Sequence, residues 1–336
     1  MDVRAVLGCF TPRGSSMNTT RFRSEFGGLW TDRSDAPSLL KTLGASFGDE
    51  ITMHLENWIE HGFVIIEGAV PQNVCHELGE EIRRIFELGS DIHIAQSPTE
   101  GGVGRGNVKP GTVPDQMRVV DMYAHSKLAR DVLLAPRISR FLEAIFQERP
   151  LLFQGLTFEK GSQQGLHQDT AYVVVDRPME LAAAWVALED IKEGSGELMY
   201  LDGSHRMPEW KFGGSSKHFD PSRHSSVEHD DWAMHLIRRG EELGMTKKLF
   251  RPKCGDVLIW SADLVHGGSP QEDMALTRRS IVGHYCPFSA NPHYFEYMTN
   301  RIKVPLENGF MSSAYFDLEA TSTPAAVRRR RSRRRT

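Results

Sequence analysis

The segment GLHQDTAYVVV, residues 165–175, places a histidine and an aspartate two positions apart, directly before an apolar run. In an extended backbone, residues i and i+2 point to the same face, so His167 and Asp169 would project together. A neutral imidazole and a carboxylate are both good metal ligands. We therefore predict that this pair supplies two ligands of one metal ion at the mouth of a buried strand.

Other histidine–acid pairs with the same spacing lack such support. They are His54/Glu56, His218/Asp220 and His229/Asp231. The first lies in a segment with helical spacing, where residues i and i+2 diverge. The other two lie in a polar run that contains Pro and Ser and has no strand to hold them. The pair at His167 is therefore the strongest candidate for a metal site.

A third ligand is expected from another strand that faces the same cavity. His266 ends an apolar strand, and Arg278 begins the next strand twelve residues later. On that second strand, Arg278, Ser280 and Val282 share one face. An inward arginine is costly unless it meets an anion, and its planar fork suits a carboxylate. The alternative interpretation is that His266 caps a turn and Arg278 forms a surface ion pair.

Taken jointly, these residues favour a metal-dependent enzyme with an anionic co-substrate. His167, Asp169 and His266 form the set of two histidines and one carboxylate that is typical of non-haem iron(II) oxygenases. Zinc accepts the same ligands, so a non-oxygenase metal-binding barrel such as a zinc hydrolase remains an alternative. That alternative leaves Arg278 without a role.

The elements that must position these residues change in type along the chain. Helical spacing covers residues 51–62, 71–89 and 126–146, with a short buried strand at GFVIIEGAV. Short apolar strands follow: LLFQGLTFEKG, AYVVVDRP, LAAAWVALEDI, GELMYLDGSH, GDVLIWSADLV and RRSIVGHYCP. This order predicts a mainly β fold with flanking helices (α+β), built around an antiparallel double-sheet barrel.

The same patterns suggest a division of the chain. Residues 1–48 are predicted to be a poorly ordered lead-in, residues 49–318 a single catalytic domain, and residues 319–336 a basic disordered tail. The polar segment 207–250 holds four histidines and is expected to form a lid insertion. A Gly-rich loop, EGGVGRGNVKPGTVP, has no clear strand before it and is expected to be a flexible loop beside the site.

Composition restricts location and partners. The chain has 336 residues, of which 40% are hydrophobic and 25% charged, and no apolar run is long enough to span a bilayer. The four cysteines are scattered without CxxC spacing, which favours a reducing, cytoplasmic location. We expect a small-molecule substrate and no membrane association; the pattern does not specify an oligomeric state.

The far end, VRRRRSRRRT, raises the possibility of a nuclear signal or a nucleic-acid tether. Without its seven arginines, the chain has 33 basic residues against 44 acidic residues, a net charge of −11. An acidic body argues against a broad phosphate-binding face, and a self-repelling tail without a specific partner is the simpler interpretation. Nucleic acid is therefore not an expected partner.

The motifs together resemble those of the phytanoyl-CoA dioxygenase family of iron(II)/2-oxoglutarate oxygenases. The matched positions extend from HGFVIIEGAVP at His61 to Tyr285 and include HQD, HGGS and Arg278. The resemblance implies a double-stranded β-helix core, that is, a cupin-like jelly roll. It also implies that His167, Asp169 and His266 bind iron(II). The residues that would contact 2-oxoglutarate are Arg278, Gln164, Trp185 and Ser204.

By this resemblance, the chain would use iron(II), 2-oxoglutarate and dioxygen. It would hydroxylate or otherwise oxidise a C–H bond of a small organic molecule, of acyl-CoA or secondary-metabolite type, and release succinate and CO2. Asp169 favours such oxidation, because related halogenases lack this carboxylate. Ser195 and Asp202 depart from the family pattern, and HGGS carries one more glycine than some members have, but these changes remove no ligand.

Overall fold

Two sheets with a layer of helices on one side form the framework around the predicted metal site. The computed structural model describes residues 21–96, 106–114, 117–293 and 303–311. The helices are α1 (Ala36–Phe47), α2 (Asp49–His61), α3 (Gln72–Leu88), α4 (Lys127–Leu133), α5 (Pro136–Phe146) and α6 (Ser226–Glu242). The strands are β1 (Phe63–Ile66), β2 (Ser90–Gln96), β3 (Gly106–Val108), β4 (Arg118–Val120), β5 (Pro150–Phe158), β6 (Ala182–Ala187), β7 (Leu198–Leu201), β8 (Lys247–Phe250), β9 (Val257–Ser261), β10 (His266–Gly268), β11 (Ser280–Pro287), β12 (Val304–Leu306) and β13 (Gly309–Met311).

The strands pair mostly antiparallel. The larger sheet has the order β1-β9-β6-β11-β5-β4-β2-β3, with β13 added to β5 and β12 beside β13. The smaller sheet has the order β10-β7-β8. Within the described strands, the pairing of β13 with β5 is the parallel exception. This architecture confirms the prediction of a mainly β, α+β protein with a jelly-roll core.

Strand β6 explains how the larger sheet joins two apolar layers. Its sequence AAAWVA is buried at every position, as expected when both faces of a strand are covered. Ala182, Ala184 and Val186 pack with the helices. Ala183, Trp185 and Ala187 point the other way, into a cluster that contains residues of the smaller sheet. The alternation of β6 therefore directs Trp185 into the space between the sheets.

The helical layer agrees with the predicted helical segments. Helix α3 buries Leu78, Ile82 and Ile85 at helical spacing. The segment predicted to be helical over residues 126–146 forms two helices, α4 and α5, and Pro136 begins the second of them. In the described part of the chain, no helix combines the length and the apolar character needed to cross a bilayer.

The predicted lead-in is wrong over residues 21–48. This part contains α1, and both Trp30 and Leu40 belong to the main core. The indole nitrogen of Trp30 donates a hydrogen bond to the Ala144 carbonyl at 2.9 Å. Those contacts are with distant residues, so local periodicity did not reveal them. Residues 1–20 and the tail at 319–336 lie outside the described residues.

Two predictions about local structure are also wrong. AYVVV is not a strand, because Asp169–Ala171 forms a 3₁₀ turn directly after the extended residue Gln168. Strand β2 precedes the Gly-rich segment, and β3 forms part of it and pairs with β2. Residues 97–105 of that region and residues 115–116 lie outside the described residues. In its described part, the predicted loop therefore contains an edge strand of the larger sheet, β3, followed by residues 109–114, which are not in a strand.

The predicted lid corresponds to the connection between β7 and β8, and β8 itself belongs to the smaller sheet. The connection carries α6, on which Trp232 and Leu236 are buried. These side chains pack with Phe212 and with Val265, the residue before His266. The insertion therefore has its own apolar core, which continues to the candidate site.

Candidate active site

The structure brings His167, Asp169 and His266 together. The three residues are buried, and their candidate ligand atoms all lie within 4.8 Å of one another. The backbones of the two histidines form an isolated antiparallel bridge, with N···O distances of 2.8 and 2.9 Å. Residues far apart in the sequence are thus aligned by main-chain hydrogen bonds. The part of the chain that the structure describes contains no other cluster of residues that could hold a metal ion.

Two glycines allow this close approach. A Cβ atom on Gly267 would lie 2.8 Å from the Gln164 carbonyl oxygen, and one on Gly268 would lie 2.9 Å from the Gln163 nitrogen. Such distances are shorter than side chains tolerate. Both glycines of HGGS are therefore required by the backbone that carries His167.

Hydrogen bonds orient both imidazoles. His167 Nδ1 lies 2.8 Å from the Gly165 carbonyl oxygen, and His266 Nδ1 lies 2.9 Å from that of Leu264. Because a carbonyl only accepts, each Nδ1 carries the proton, and each Nε2 presents a lone pair. Burial, together with the neighbouring His266 imidazole, lowers the pKa of His167 to about 3. The neutral imidazole is the form that binds a metal.

The Asp169 carboxylate is also held in place. The Trp260 indole nitrogen donates a hydrogen bond to Oδ2 at 2.8 Å, while Oδ1 lies 3.6 Å from Nε2 of His266. Burial acts to raise the pKa of this carboxyl group, but the imidazoles of His266 and His284 bring it below its ordinary value. The ionised carboxylate is the form that binds a metal.

Arg278 lies in the same cavity, buried to 2% exposure. Its Nη1 donates a hydrogen bond to the Gly196 carbonyl at 3.2 Å, whereas its Nε has no partner among the described residues. The guanidinium lies 5.5 Å from the ring of Phe158 and 5.6 Å from that of Trp185. Burial lowers the pKa of Arg278 to about 10, so the group is charged at neutral pH. A buried cation with so few acceptors is a binding site for an anion.

The other predicted co-substrate contacts divide into two groups. Gln164 and Trp185 line the cavity with Arg278, and the indole nitrogen of Trp185 is buried without a hydrogen-bond partner in the described chain. Ser204 is not among the lining residues. Its hydroxyl instead accepts a hydrogen bond from the Val265 amide at 2.8 Å. The contact of Ser204 with the co-substrate stays a prediction; in this structure its hydroxyl faces the backbone that precedes His266.

Sequence reasoning missed several cavity residues, among them three with polar nitrogen groups. His284, Arg118 and Trp260 all line the cavity. His284 lies two positions beyond Val282 on the same strand face, so the alternation that identified Arg278 also predicts an inward His284. Trp260 carries no local signal, since its role depends on the contact with Asp169. Arg118 lies on β4, which the strand pattern did not predict.

A buried cation, Lys217, connects the insertion to the segments that carry the candidate metal ligands. Lys217 Nζ lies 2.5 Å from Oδ2 of Asp263, and the two side chains are 2% and 7% exposed. The other carboxylate oxygen, Oδ1, accepts a hydrogen bond from the Thr170 hydroxyl at 2.7 Å. Thr170 adjoins Asp169, and Asp263 precedes His266 by three residues. A buried pair of this kind is costly to break, so it connects the insertion to both ligand segments.

Comparison with known proteins places this site in a family. The model of the phytanoyl-CoA dioxygenase family (PhyH) matches residues 58–273. The Bos taurus protein "Phytanoyl-CoA dioxygenase, peroxisomal" is 23% identical over 256 residues, which cover 70% of this chain and 68% of that protein.

Solved structures with the same fold include two enzymes of nogalamycin biosynthesis. The epimerase SnoN, in complex with Fe3+, alpha ketoglutarate and nogalamycin RO, is 18% identical with a TM-score of 0.53, covering 82% of this chain and 99% of that chain. The carbocyclase SnoK, described as non-heme and alpha ketoglutarate dependent, is 14% identical with a TM-score of 0.52, covering 71% and 85%. This likeness shows a shared fold. Since the family model covers more than half of the sequence, the chain belongs to the phytanoyl-CoA dioxygenase family.

Proposed function

We propose that the protein is an Fe(II)- and 2-oxoglutarate-dependent dioxygenase that oxidises a C–H bond of a small organic molecule and releases succinate and CO2. The observation that carries this proposal is that one cavity contains both the ligand group of His167, Asp169 and His266 and the buried, incompletely paired Arg278. A metal ion held by these three ligands and a dicarboxylate paired with Arg278 would together satisfy the polar groups of this cavity.

The donor set fits iron(II). Two neutral imidazoles and one carboxylate leave coordination positions for exogenous groups. When bound, iron would supply the activation of dioxygen that is coupled to decarboxylation of 2-oxoglutarate. The protein contributes the orientation of its ligands, since carbonyl groups hold His167 and His266 and the Trp260 indole holds Asp169.

Arg278 would pair with the carboxylate of 2-oxoglutarate that lies away from the metal. Its unpartnered Nε and that of Trp185 provide two donors in a nearly dry environment. Leu156, Leu198 and Val282 line the same cavity and would limit access of water to the reacting groups. Gln164 lines it as well and is a further candidate contact.

A zinc hydrolase is less well supported by these observations. Zinc would explain the ligands, but it provides no reason for a chain to bury Arg278 beside them with one hydrogen bond to a carbonyl. In the described residues, no carboxylate forms an ion pair with this guanidinium. A buried guanidinium that no protein carboxylate pairs with in the described residues therefore favours a dicarboxylate co-substrate.

For the substrate, we propose a small molecule of acyl-CoA or secondary-metabolite type. The Bos taurus relative is a phytanoyl-CoA dioxygenase, and the SnoN structure contains nogalamycin RO. Asp169 favours hydroxylation or another oxidation over halogenation, because related halogenases lack this carboxylate.

We further propose that residues 49–318 form the oxygenase domain, preceded by the packed segment 21–48, and that the protein works in the cytoplasm. The buried cysteines Cys75, Cys254 and Cys286 remain thiols, which supports a reducing compartment.

The test is succinate formation from 2-oxoglutarate with Fe(II) and dioxygen, followed by a screen of pooled metabolites for compounds that stimulate it. We expect turnover that stops when Fe(II) is chelated. Zn(II)-dependent ester or amide hydrolysis without succinate would reject the oxygenase proposal in favour of the hydrolase.

A further inference from the structure

His284 is a buried histidine next to the candidate metal ligands that no motif predicted. It is 3% exposed and lines the cavity. It lies on β11, six residues after Arg278, which precedes that strand by two positions; an even number of positions separates them, and both side chains line the cavity. It is paired with Gln154 of β5 and with Ala183 of β6.

The imidazole of His284 approaches the metal-binding carboxylate from the sheet. Its Nε2 lies 3.6 Å from Oδ1 of Asp169. Trp260, which donates to Oδ2, is paired with the opposite side of Ala183. The two nitrogen-containing rings thus flank one methyl group and face the two oxygens of the same carboxylate.

The surroundings of His284 differ from those of the other two histidines. The Nδ1 atoms of His167 and His266 are bonded to carbonyls, whereas Nδ1 of His284 is buried without a partner among the described residues. Its Nε2 faces the Asp169 carboxylate. His284 is also outside the group of ligand atoms that lie within 4.8 Å of one another.

We propose that His284 is a positioning residue: with Trp260, it fixes the rotation of the Asp169 carboxylate so that Oδ1 is presented to the metal. This inference rests on the proposed function, because it assigns a role within the same metal site. A carboxylate that accepts a hydrogen bond on Oδ2 and is faced on Oδ1 by Nε2 of His284 at 3.6 Å has less freedom to rotate, and outer partners of this kind change metal affinity by roughly ten- to hundredfold.

The test uses Co(II), whose visible absorption reports ligand geometry, and compares H284L with H284Q. Leucine removes the donor, whereas the side-chain amide nitrogen of glutamine can occupy the position of Nε2. We expect H284L to bind Co(II) roughly ten- to hundredfold more weakly, with a changed spectrum. H284Q should restore most of the affinity and the spectrum.

Thermal unfolding of the metal-free variants separates positioning from a purely structural role. H284L removes a buried Nδ1 that lacks a partner, which favours stability, and also removes the contact of Nε2 with Asp169, which opposes it; metal-free H284L should therefore unfold close to the wild-type temperature. A lower unfolding temperature with unchanged Co(II) affinity and spectrum would overturn the inference. Loss of Co(II) binding in both H284L and H284Q, to the extent seen with H167A, would also overturn it, because His284 would then be a ligand.

The wild type serves as the control for the proposed function itself. If wild-type protein does not bind Co(II) or Fe(II), or if H167A binds Co(II) normally, the proposed metal site fails. If the wild type binds and H284L titrates identically, only the positioning role of His284 fails.

Discussion

The metal end and the arginine end of the cavity are built on opposite principles. At the metal end, carbonyls hold the two ligand histidines and an indole holds the carboxylate. At the arginine end, Nε of Arg278 and the indole nitrogen of Trp185 are buried with no partner in the described chain. One end is internally satisfied, and the other has donors that only an added group can satisfy.

This difference indicates which kind of group each end of the cavity is suited to bind. Fixed ligands with free lone pairs suit a small, permanently bound cation, because orientation is provided before binding. Unsatisfied donors carry a cost of about 1–3 kcal/mol each in the free protein, and that cost is recovered each time an acceptor arrives. The arginine end is therefore suited to a group that binds and leaves in every cycle.

The largest expected effect is the loss of a ligand at the metal end. D169A or H167A should weaken Co(II) or Fe(II) binding by more than the roughly hundredfold that outer partners contribute, and turnover should disappear. Isothermal titration with Co(II) measures this effect. D131A, which removes an exposed carboxylate on α4, is the control and should titrate like the wild type.

Next in size is the loss of the guanidinium. A charge-assisted contact of about 1.5–3 kcal/mol corresponds to a roughly ten- to hundredfold weaker binding of 2-oxoglutarate in R278A. The Co(II) affinity of R278A should not change, since groups other than Arg278 orient the candidate metal ligands. The control is R279K, at the neighbouring residue whose side chain pairs with Glu159. Equal loss of metal and 2-oxoglutarate binding in R278A would contradict the division into two ends.

A smaller effect is expected from W260F, which removes the hydrogen bond to Asp169 Oδ2. Metal affinity should fall by about tenfold, and the metal-free protein should lose about 1 kcal/mol of stability because a made hydrogen bond is lost. W58F is a matched control: the indole nitrogen of Trp58 bonds to Thr31, and neither residue lines the cavity. It should reduce stability and leave metal binding intact.

The smallest effect is expected from W185F at the arginine end. If its indole N–H bonds to the co-substrate, W185F should bind 2-oxoglutarate roughly two- to tenfold more weakly. Unlike W260F, it should not destabilise the free protein, because the lost donor has no partner there. A W185F protein that unfolds more easily and binds 2-oxoglutarate normally would show that this indole is only a packing group.

The sequence predicted site residues best where the side chains of a β-strand alternate between its two faces. It placed Arg278 inward although this residue lies two positions before β11, because the alternation of that strand extends to it. The same alternation leads to His284, after which the register with β5 shifts. Alternation correctly grouped Asp169 with His167, but it predicted a strand at Asp169, where the chain instead begins a 3₁₀ turn. The two side chains still lie together because they are only two positions apart, and the backbone bridge between His167 and His266 holds this segment in place.

The contacts of Trp30, Ser204 and Lys217 join residues far apart in the sequence and carried no local signal from which they could be predicted. Trp30 shows no local pattern, since its hydrogen-bond partner Ala144 lies more than one hundred positions away. Ser204 was placed by resemblance alone, and its hydroxyl faces the Val265 amide. The polar composition of the insertion suggested a solvated lid and hid Lys217, whose partners are brought to it only by the folded chain.

Lys217 has a practical consequence for redesign of substrate preference. An exchange of residues 207–225 for the corresponding loop of another family member would leave Asp263 as a solitary buried anion unless it, too, were replaced. Such chimaeras would then fail through distortion of the segments that carry Asp169 and His266, whatever their new loop recognises. Transplanting the loop together with its acidic acceptor is therefore the smaller perturbation.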